Sequence, residues 1–567
     1  MSLIGALNSA KTALAVQQAA IQVTGNNISN AGNADYTRQT ANLAPSKDQQ
    51  LRPGVFLGTG VDLTSVQRQI DDALEGRLRA SNSDAEAADT TQQWLGRVES
   101  LFNELSDEDL STQLSTFFNS WSNLANKPQD IGLRQVVIQN GDGVAKWFQN
   151  LRSQLGSLGS DVDDRTKALA GDADQLARQI ADLNGQITIA EGGAGGQANG
   201  LRDQRDAVLK QLSQLVDVKT VEDQGVVNIY VGSQPIVMGT QNRGIGIRTE
   251  VGADGKLTTN VVCKANNGAL QLTSGQLGAL TQVKTQLAGV TDKVDTLASN
   301  LIFELNKLHA SGQGLEGFSS VSSTNLVDDP AKALSDPKSG LDFTPNNGSF
   351  VVHVKNKTTG LTTSTLVQVD LDGLNGNDTT LNSLATDIDN VTNISASVAG
   401  GQMKISADSP DVEISFSQDS SGVLAALGIN NFYNGTDARD IAVSNTIKDR
   451  PALLAAAKNG EPADNQTARG IADLEQQSVK SLDGSTLKAT YESMVNGVGT
   501  AAAAAKTNSE ATQVVKQTLE AQREALSGVS LDEEAVNLMR EQRAFQGAAR
   551  LITAVNEMMD TVLNLVH

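Results

Sequence analysis

Apolar residues recur every seven positions at both extremities of this chain. Leu7, Leu14, Ile21 and Ile28 form one line, and Leu3 and Ala10 open the line beside it. A seven-residue apolar repeat is the seam of a helix that packs along a partner helix. Gln17 and Thr24 interrupt the second line, so the stripe is thin, and a helix with so thin a stripe is marginal when isolated. The stretch TGNNISNAGNADYTRQ (24–39) is rich in residues that tolerate left-handed backbone and compete for backbone hydrogen bonds, so it predicts the end of this helix. At the far end Leu538, Phe545, Ile552, Met559 and Val566 again share one line, and Leu563 joins the apolar set.

Between residues 66 and 216 the pattern is helical. Leu155, Val162, Leu169, Leu176 and Leu183 keep the spacing, with Ile180 and Ile187 alongside. The cluster EGGAGGQANG (191–200) breaks it, and Leu201, Val208 and Leu215 resume it, which predicts an antiparallel helical hairpin. VVNIYV (226–231), PIVMG (235–239) and TTNVVCKA (258–265), with turns such as ADGK (253–256), predict a small β-meander. Helical spacing returns with Leu280, Leu287, Val294, Leu301 and Leu308. From 321 to 460 the chain is rich in Ser, Thr, Asn, Asp and Gly. There SFVVHVKN (349–356), STLVQVDL (364–371), ISASV (394–398), MKISA (403–407) and VEISFS (412–417) alternate as strands do, around one helical piece, LNSLATDIDNV (381–391). Residues from about 470 onward are helical again.

The expected class is multidomain α+β. A long helical-bundle or coiled-coil core is built by the N- and C-terminal parts, with a small β-meander and an inserted β-rich domain. Residues 1–35 with 531–567 are expected to form a terminal helical domain, and 36–320 with 461–530 a helical bundle carrying the meander 217–272. Residues 321–460 form an outer insert, pushed outward as the chain ends come together. The middle seams are read as ordinary helix pairs within the chain. The terminal seams are assigned to packing against other subunits, alone or beside intramolecular pairing, through Leu7, Leu14, Ile21, Ile28, Leu538, Phe545, Ile552, Met559 and Leu563. Both ends are expected to be mobile in the monomer and to order on assembly.

Composition narrows the partners. A formal charge of -21 repels phosphate backbones and anionic lipid, so neither nucleic acid nor a membrane surface is expected. No apolar run approaches the roughly 20 residues of a membrane span. The opening MSLIGALNSAKTAL lacks the basic segment and long apolar block of a cleaved secretory signal. Aromatic residues make up 3% of the chain, leaving few anchors for a deep ligand pocket, and no cofactor is expected.

The residues of chemistry are sparse. The one cysteine, Cys263, rules out an internal disulfide framework and reads as a small buried hydrophobe. The three histidines, His309, His353 and His567, are scattered, so neither a zinc site nor a Cys–His pair is expected, and no enzyme is read. In GADGKLTT (252–259) Leu257 stands where a phosphate loop needs Ser or Thr. DLDGLNGND (370–378) offers Asp370, Asp372, Asn375, Asn377 and Asp378 as hard oxygen ligands. Its first glycine comes too early for a calcium loop and the distal Glu is missing, so a polar turn leaving a strand accounts for the same residues.

Four stretches carry a resemblance to a known family. Asn26, Asn27, Ile28 and Asn30, followed by Tyr36, Thr37 and Arg38, resemble the N-terminal motif of bacterial flagellar axial proteins, the rod, hook and hook-associated group. ANGLRDQRDAVLKQLSQLVDV (198–218), with Asp203, Gln204, Arg205 and Asp206, is similar to a helix of the hook-associated protein 1 family; Arg202 stands where that family has an apolar residue. LNKLHASGQGLEG (305–317) resembles the family's Asn-x-x-His-x-x-Gly turn through Asn306, His309 and Gly312. SGVSLDEEAVNLMREQRAFQGAARLITAVNEMMDTVLNL (527–565) resembles its C-terminal segment. The resemblance implies an extracellular structural protein at the junction of hook and filament, beside the flagellar hook protein, hook-associated protein 3 and further copies of itself. It also implies export through the flagellar type III channel and a chaperone that holds the C-terminal helix beforehand. His309 is expected to act by structural hydrogen bonding. Two other readings stay open: another axial subunit of hook or filament type, and a secreted binding protein working through 321–460.

Overall fold

The long apolar repeats become long helices, and the short β-branched runs become antiparallel strands. The computed structural model describes residues 3–103, 109–193, 196–251, 257–461 and 463–564. The predicted turn ADGK (253–256), Val566 and His567 lie outside the described residues.

The chain opens with α1 (Leu3–Ser29) and then forms an antiparallel ribbon of β1 (Gln39–Pro45) and β4 (Val61–Arg68). The connection between them carries a hairpin of β2 (Gln49–Arg52) and β3 (Val55–Leu57). Helices α2 (Asp72–Asn103), α3 (Leu110–Asn126), α4 (Ile131–Glu191) and α5 (Asn199–Leu215) follow. The meander is a four-stranded sheet in chain order, β5 (Val218–Asp223), β6 (Val226–Val231), β7 (Gln234–Met238) and β8 (Gln241–Asn242), with a separate pair, β9 (Ile245–Val251) and β10 (Leu257–Cys263). Cys263 is buried there as a free thiol. After α6 (Gly275–Ala310) come β11 (Ser320–Ser322), β12 (Gly348–Asn356), β13 (Thr362–Val369), α7 (Leu381–Asp389), β14 (Ile394–Ala399), β15 (Gln402–Ala407) and β16 (Val412–Ser417). Short elements α8 (Val423–Leu427), β17 (Tyr433–Asn434), β18 (Ala442–Val443), α9 (Asn445–Asp449) and α10 (Gln466–Asp473) lead to α11 (Leu487–Ser527) and α12 (Leu531–Asn564). The fold is thus α+β, with long terminal helices and internal β-rich parts.

Two compact units emerge. Unit 1 holds Met1–Trp94, Asp161–Lys284 and Ala503–His567; unit 2 holds Leu95–Ser160 and Thr285–Ala502. In unit 2 the strands form two three-stranded antiparallel sheets, ordered β13–β12–β16 and β11–β15–β14, and the short pair β17–β18. Helix α7 packs on β14, β15 and β13, burying Leu381, Leu384 and Ile388. It starts where Thr380 and Ser383 exchange side-chain-to-backbone bonds at 2.9 and 3.1 Å, a capping box that satisfies two orphan N–H groups. Phe350, Phe416, Met403, Ile405 and Ile414 fill the space between these strands.

The seven-residue lines do not stay buried along their whole length. On α4 the buried face passes from Leu155, Val162 and Leu169 to Ala173, Ala177, Ile180, Asn184 and Ile187, leaving Leu176 and Leu183 half-buried. A straight helix drifts about 20° per heptad from a strict seven-residue line. A helix of 61 residues therefore turns a new stripe toward its neighbours before it ends. The ribbon of β1 and β4 had no counterpart in the pattern, because short alternating runs broken by Pro, Gly and Lys leave no clear period.

An aromatic cluster in unit 2 gives a direct test of packing. Phe432 lies 5.6 Å from both Phe117 and Trp121 and 4.8 Å from Tyr433, centroid to centroid, and is fully buried. A Cβ on Gly141 of α4 would stand 2.6 Å from Phe432 Cζ. Gly141→Ala is expected to lower unfolding stability by up to about 2 kcal/mol. Overpacking costs about 1–3 kcal/mol, which exceeds the roughly 1 kcal/mol that Ala returns in helix propensity. The urea midpoint measures it, and a midpoint that rises contradicts it.

Candidate assembly interface

Unit 1 sets the chain ends side by side: α1 packs along α12 and also against β1 and β4. Each end thus has a partner in the other. On α1 the buried residues are Ala10, Val16, Ala20, Thr24 and Asn27, whereas Leu7, Leu14, Ile21 and Ile28 are half-buried. On α12 Glu534 and Val555 are buried, Leu538, Phe545, Ile552 and Met559 are half-buried, and Leu563 is exposed. Small residues sit deepest on α1 because helix separation is set by the side chains at the contact, and Ala and Thr allow close approach. The larger residues flank it. A second apolar stripe on α12 remains open: Val536, Leu551, Met558 and Val562 are 46–60% exposed. At about 100° per residue these four fall within about 80° of one another on the helix.

The Asn-rich stretch does not stop the helix where its composition suggests. Helix α1 continues to Ser29, through Thr24, Gly25, Asn26 and Asn27. Asn27 can sit inside the helix and be buried because its amide finds every partner it can use. Its Nδ2 donates to Gln39 O at 2.9 Å and to Glu534 Oε2 at 3.0 Å. Its Oδ1 accepts from the Tyr36 hydroxyl at 2.8 Å and from the Gln39 N–H at 3.0 Å. Two donors and two lone pairs exhaust an Asn side chain. Asn26 is exposed, and its carbonyl accepts from the Asn30 N–H and Nδ2 at 3.1 and 2.9 Å, which closes the helix end.

Charge completes the junction. Arg38 reaches Glu534 through Nη2 at 2.7 Å and Glu533 through Nη1 at 2.8 Å. Farther along the helices the Thr24 hydroxyl donates to Glu541 Oε2 at 2.9 Å. Burial pushes the Tyr36 hydroxyl up to about 12, with Asp203 and Glu534 adding to the shift, so it stays a donor. Burial likewise raises the Glu541 carboxyl above the usual carboxylate range, against the hydrogen bond from Thr24.

The Asp-Gln-Arg-Asp segment of α5 braces the far end of the ribbon. Arg68, closing β4, meets Asp203 at 2.9 Å and Asp206 at 2.6 Å. Burial holds the Asp203 carboxyl above its ordinary range even beside that guanidinium. Arg205 is fully buried and donates to Asn184 Oδ1 at 3.2 Å and Gly225 O at 2.7 Å, tying α5 to α4 and to the turn before β6. Gln204 is exposed. Sequence reasoning passed over Arg68, Glu534, Glu541 and Thr24. Acidic residues in a first helical turn are ordinary, and nothing local says that Glu534 turns inward.

The third motif lies in unit 2 and is structural hydrogen bonding throughout. Asn306 Nδ2 donates to Tyr433 O at 2.7 Å, and its Oδ1 accepts from the Phe432 and Tyr433 N–H groups at 3.0 Å. The Ala455 N–H donates to His309 Nε2 at 3.0 Å, so Nδ1 carries the proton and donates to Asn430 O at 2.8 Å. At Gly312 a Cβ would come 2.6 Å from Thr467 Oγ1, so only glycine fits. In the acidic turn, ligand oxygens of Asp370, Asp372 and Asp378 lie within 4.8 Å of one another. They already accept from local donors, among them Asn377 Nδ2, Leu374 N–H and Gly373 N–H.

Comparison with known proteins follows the same geography. A family model described as the flagellar hook-associated protein FlgK helical domain matches residues 95–322, and one described as the flagellar basal body rod FlgEFG protein C-terminal matches 522–565. Flagellar hook-associated protein 1 of Escherichia coli (strain K12) is 26% identical over 584 residues, covering 99% of both chains. The protein of that name from Salmonella typhimurium is 27% identical, again over 99% of each chain, and that from Bacillus subtilis (strain 168) 26% identical over 98% of this chain and 97% of the relative. Over nearly its whole length this chain is therefore similar to flagellar hook-associated protein 1. A solved structure, that of the flagellar hook junction protein FlgK from Burkholderia pseudomallei, shares the fold with a TM-score of 0.51 at 16% identity, over 80% of this chain and 100% of that one. The matched C-terminal segment contains α12, and the helical-domain match contains α5 with its Asp-Gln-Arg-Asp segment and the Asn306–Gly312 turn.

Two predictions follow from this geometry. Asn27→Ala leaves Glu534, Tyr36 and the Gln39 N–H each short of a partner, and is expected to destabilise unit 1 by about 2–3 kcal/mol. Denaturant unfolding of the full chain, followed by a probe on α12, reads this; a change below about 0.5 kcal/mol contradicts it. The second concerns pH. Burial, with Arg134 nearby, holds the His309 imidazole at about 4, down from 6.5. The unfolded chain therefore takes up this proton before the native one does. Stability is expected to fall as pH drops from about 6.5 to about 4, by about 3 kcal/mol in all. A His309→Gln variant that keeps the full wild-type slope over that window contradicts the assignment.

Proposed function

We propose that this chain is a structural subunit of the bacterial flagellum, located outside the cell, that joins hook to filament. The observation that carries the reading is the end-to-end match to hook-associated protein 1 from enteric and Bacillus species. The geometry adds a means. In this reading residues 1–35 with 531–567 form the axial core, where α1 and α12 pair within a subunit and the open stripe of α12 is covered by neighbours. Residues 36–320 with 461–530 form the helical bundle, and 321–460 the outer insert. Neighbours along the axis are the hook protein on one side and hook-associated protein 3 on the other, with further copies of the chain around it. Such contacts are heterologous, since each subunit offers a different surface to either side. Export through the flagellar type III channel, with a chaperone on α12, follows from the same reading. The chaperone would cover the apolar stripe that assembly later covers.

Physical reasoning also supports ends that order late. The α1–α12 contact is built on Ala, Thr and Asn, and much of α12 is exposed, so little apolar burial offsets the ordering cost before neighbours arrive. Burying a large apolar side chain fully contributes about 1.5–3 kcal/mol, so covering Val536, Leu551, Met558 and Val562 decides whether a subunit stays.

The test compares the two stripes. Leu551→Asp with Met558→Asp, on the open stripe, is expected to give a folded chain with normal hooks but no attached filaments by electron microscopy. Phe545→Ala or Ile552→Asp, on the half-buried line, should disturb assembly and also raise amide exchange in α1. Normal motility of the Leu551→Asp, Met558→Asp strain would sink the proposal, and strong protection across α1 in the free chain would contradict late ordering.

A further inference from the structure

The insert of unit 2 contains a concavity that the assembly reading leaves unused. Its volume is about 480 Å³, within the range of small-ligand sites. One wall is β11 with its flanks, where Phe318 and the consecutive residues Ser320, Val321, Ser322, Ser323 and Thr324 border the concavity. The opposite wall is the segment around Asn430, Asn431 and Asn434 together with Ser444 and Thr446. No Asp, Glu, Lys or Arg lines it. In a chain with 44 basic and 65 acidic residues, that is a distinctive chemistry.

Hydrogen bonding in the walls is incomplete. Asn431 is 6% exposed, its Nδ2 donates to Ala425 O at 3.4 Å, and its Oδ1 has no partner; Asn434 Oδ1 is also buried and without a partner. A buried acceptor left unsatisfied is costly, so a ligand donor that these side chains turn to meet relieves that cost. On the other wall Ser320 and Ser322 carry exposed hydroxyls that both donate and accept, while the Thr324 hydroxyl donates to Gly428 O at 3.3 Å and keeps its lone pairs. Amide acceptors on one side, ambivalent hydroxyls on the other and no charge anywhere fit a ligand that is itself neutral and dense in hydroxyl groups. We propose that this cavity binds a neutral saccharide. A charged sugar would find no counter-ion, and an apolar ligand would leave the amides and hydroxyls unpaired. Phe318, 7% exposed at the base of the strand wall, offers little ring face for stacking, so affinity should be modest.

Saturation-transfer NMR on the full-length chain tests this, using the trisaccharides maltotriose, cellotriose and chitotriose, with the peptide Thr-Ser-Thr as competitor class. At least one trisaccharide is expected to show saturable transfer. The double variant Ser320→Ala, Ser322→Ala, which removes exposed hydroxyls without touching the core, is expected to weaken it about tenfold. Asn431→Ala should weaken it too, with an unchanged far-ultraviolet circular dichroism spectrum reporting a folded chain. No saturable signal from any of the three sugars, or equal binding by the double variant, overturns the proposal. Saturable binding of the peptide alone overturns it in favour of a peptide site.

Discussion

One carboxamide, that of Asn27, links α1, the β1–β4 ribbon and α12 through four hydrogen bonds, and with Arg38 it makes a home for the buried Glu534. A carboxylate taken out of water is stable only if paired and hydrogen-bonded. Glu534 is 2% exposed, so α12 can occupy its place only where Asn27 and Arg38 receive it. This matters because an apolar repeat of period seven is nearly unchanged by a slip of one heptad. Leu538, Phe545, Ile552 and Met559 would accept a shifted partner almost as well. A single buried polar contact breaks that degeneracy, as a lone polar residue does in a coiled-coil seam. Thr24 with Glu541 repeats the device two turns away along α12.

The same economy appears in unit 2. Asn306, His309 and Gly312 occupy the last turns of α6 and the residues just beyond it; Asn306 and His309 act on backbone groups of residues 430–455, and the Gly312 carbonyl accepts from Asn430 Nδ2 at 3.1 Å. Asn306 holds residues 432–433, and His309 bridges Asn430 to Ala455. Side chains that bond to backbone rather than to other side chains tolerate change in the sequence they hold. A segment anchored this way can keep its base while the strands before it differ. Arg134 serves alongside: buried, it donates to the carbonyls of Pro128, Pro451 and Leu454. Burial without a neighbouring carboxylate lowers its pKa to about 10.

Most of the polar motif residues are engaged in internal hydrogen bonds, whereas the apolar stripe of α12 stays exposed and the concavity of unit 2 is lined by hydroxyls. They differ in chemistry. The stripe gains by leaving water, a non-directional effect suited to many identical neighbours. The cavity gains by directional hydrogen bonds, suited to a single small ligand.

Period and composition were enough to tell helix from strand along most of this chain, and to place the helical hairpin about residues 191–200, the meander and the five main strands of the insert. These are local properties: spacing of apolar residues, β-branching and glycine breaks act within a few turns of chain. The ribbon at 39–68 escaped because its alternation is short and interrupted. The stop placed at the Asn-rich stretch was early because composition weighs what Asn does when unpartnered, and Asn27 is not. What only the tertiary structure decided is which stripe of each long helix lies inward, and that Glu534, Arg68 and Thr24 belong with the motif residues. Helical drift moves the buried face away from the heptad line, and a buried polar side chain needs partners that can lie some five hundred positions away in the chain, as Glu534 does for Asn27. No local window of sequence contains that information.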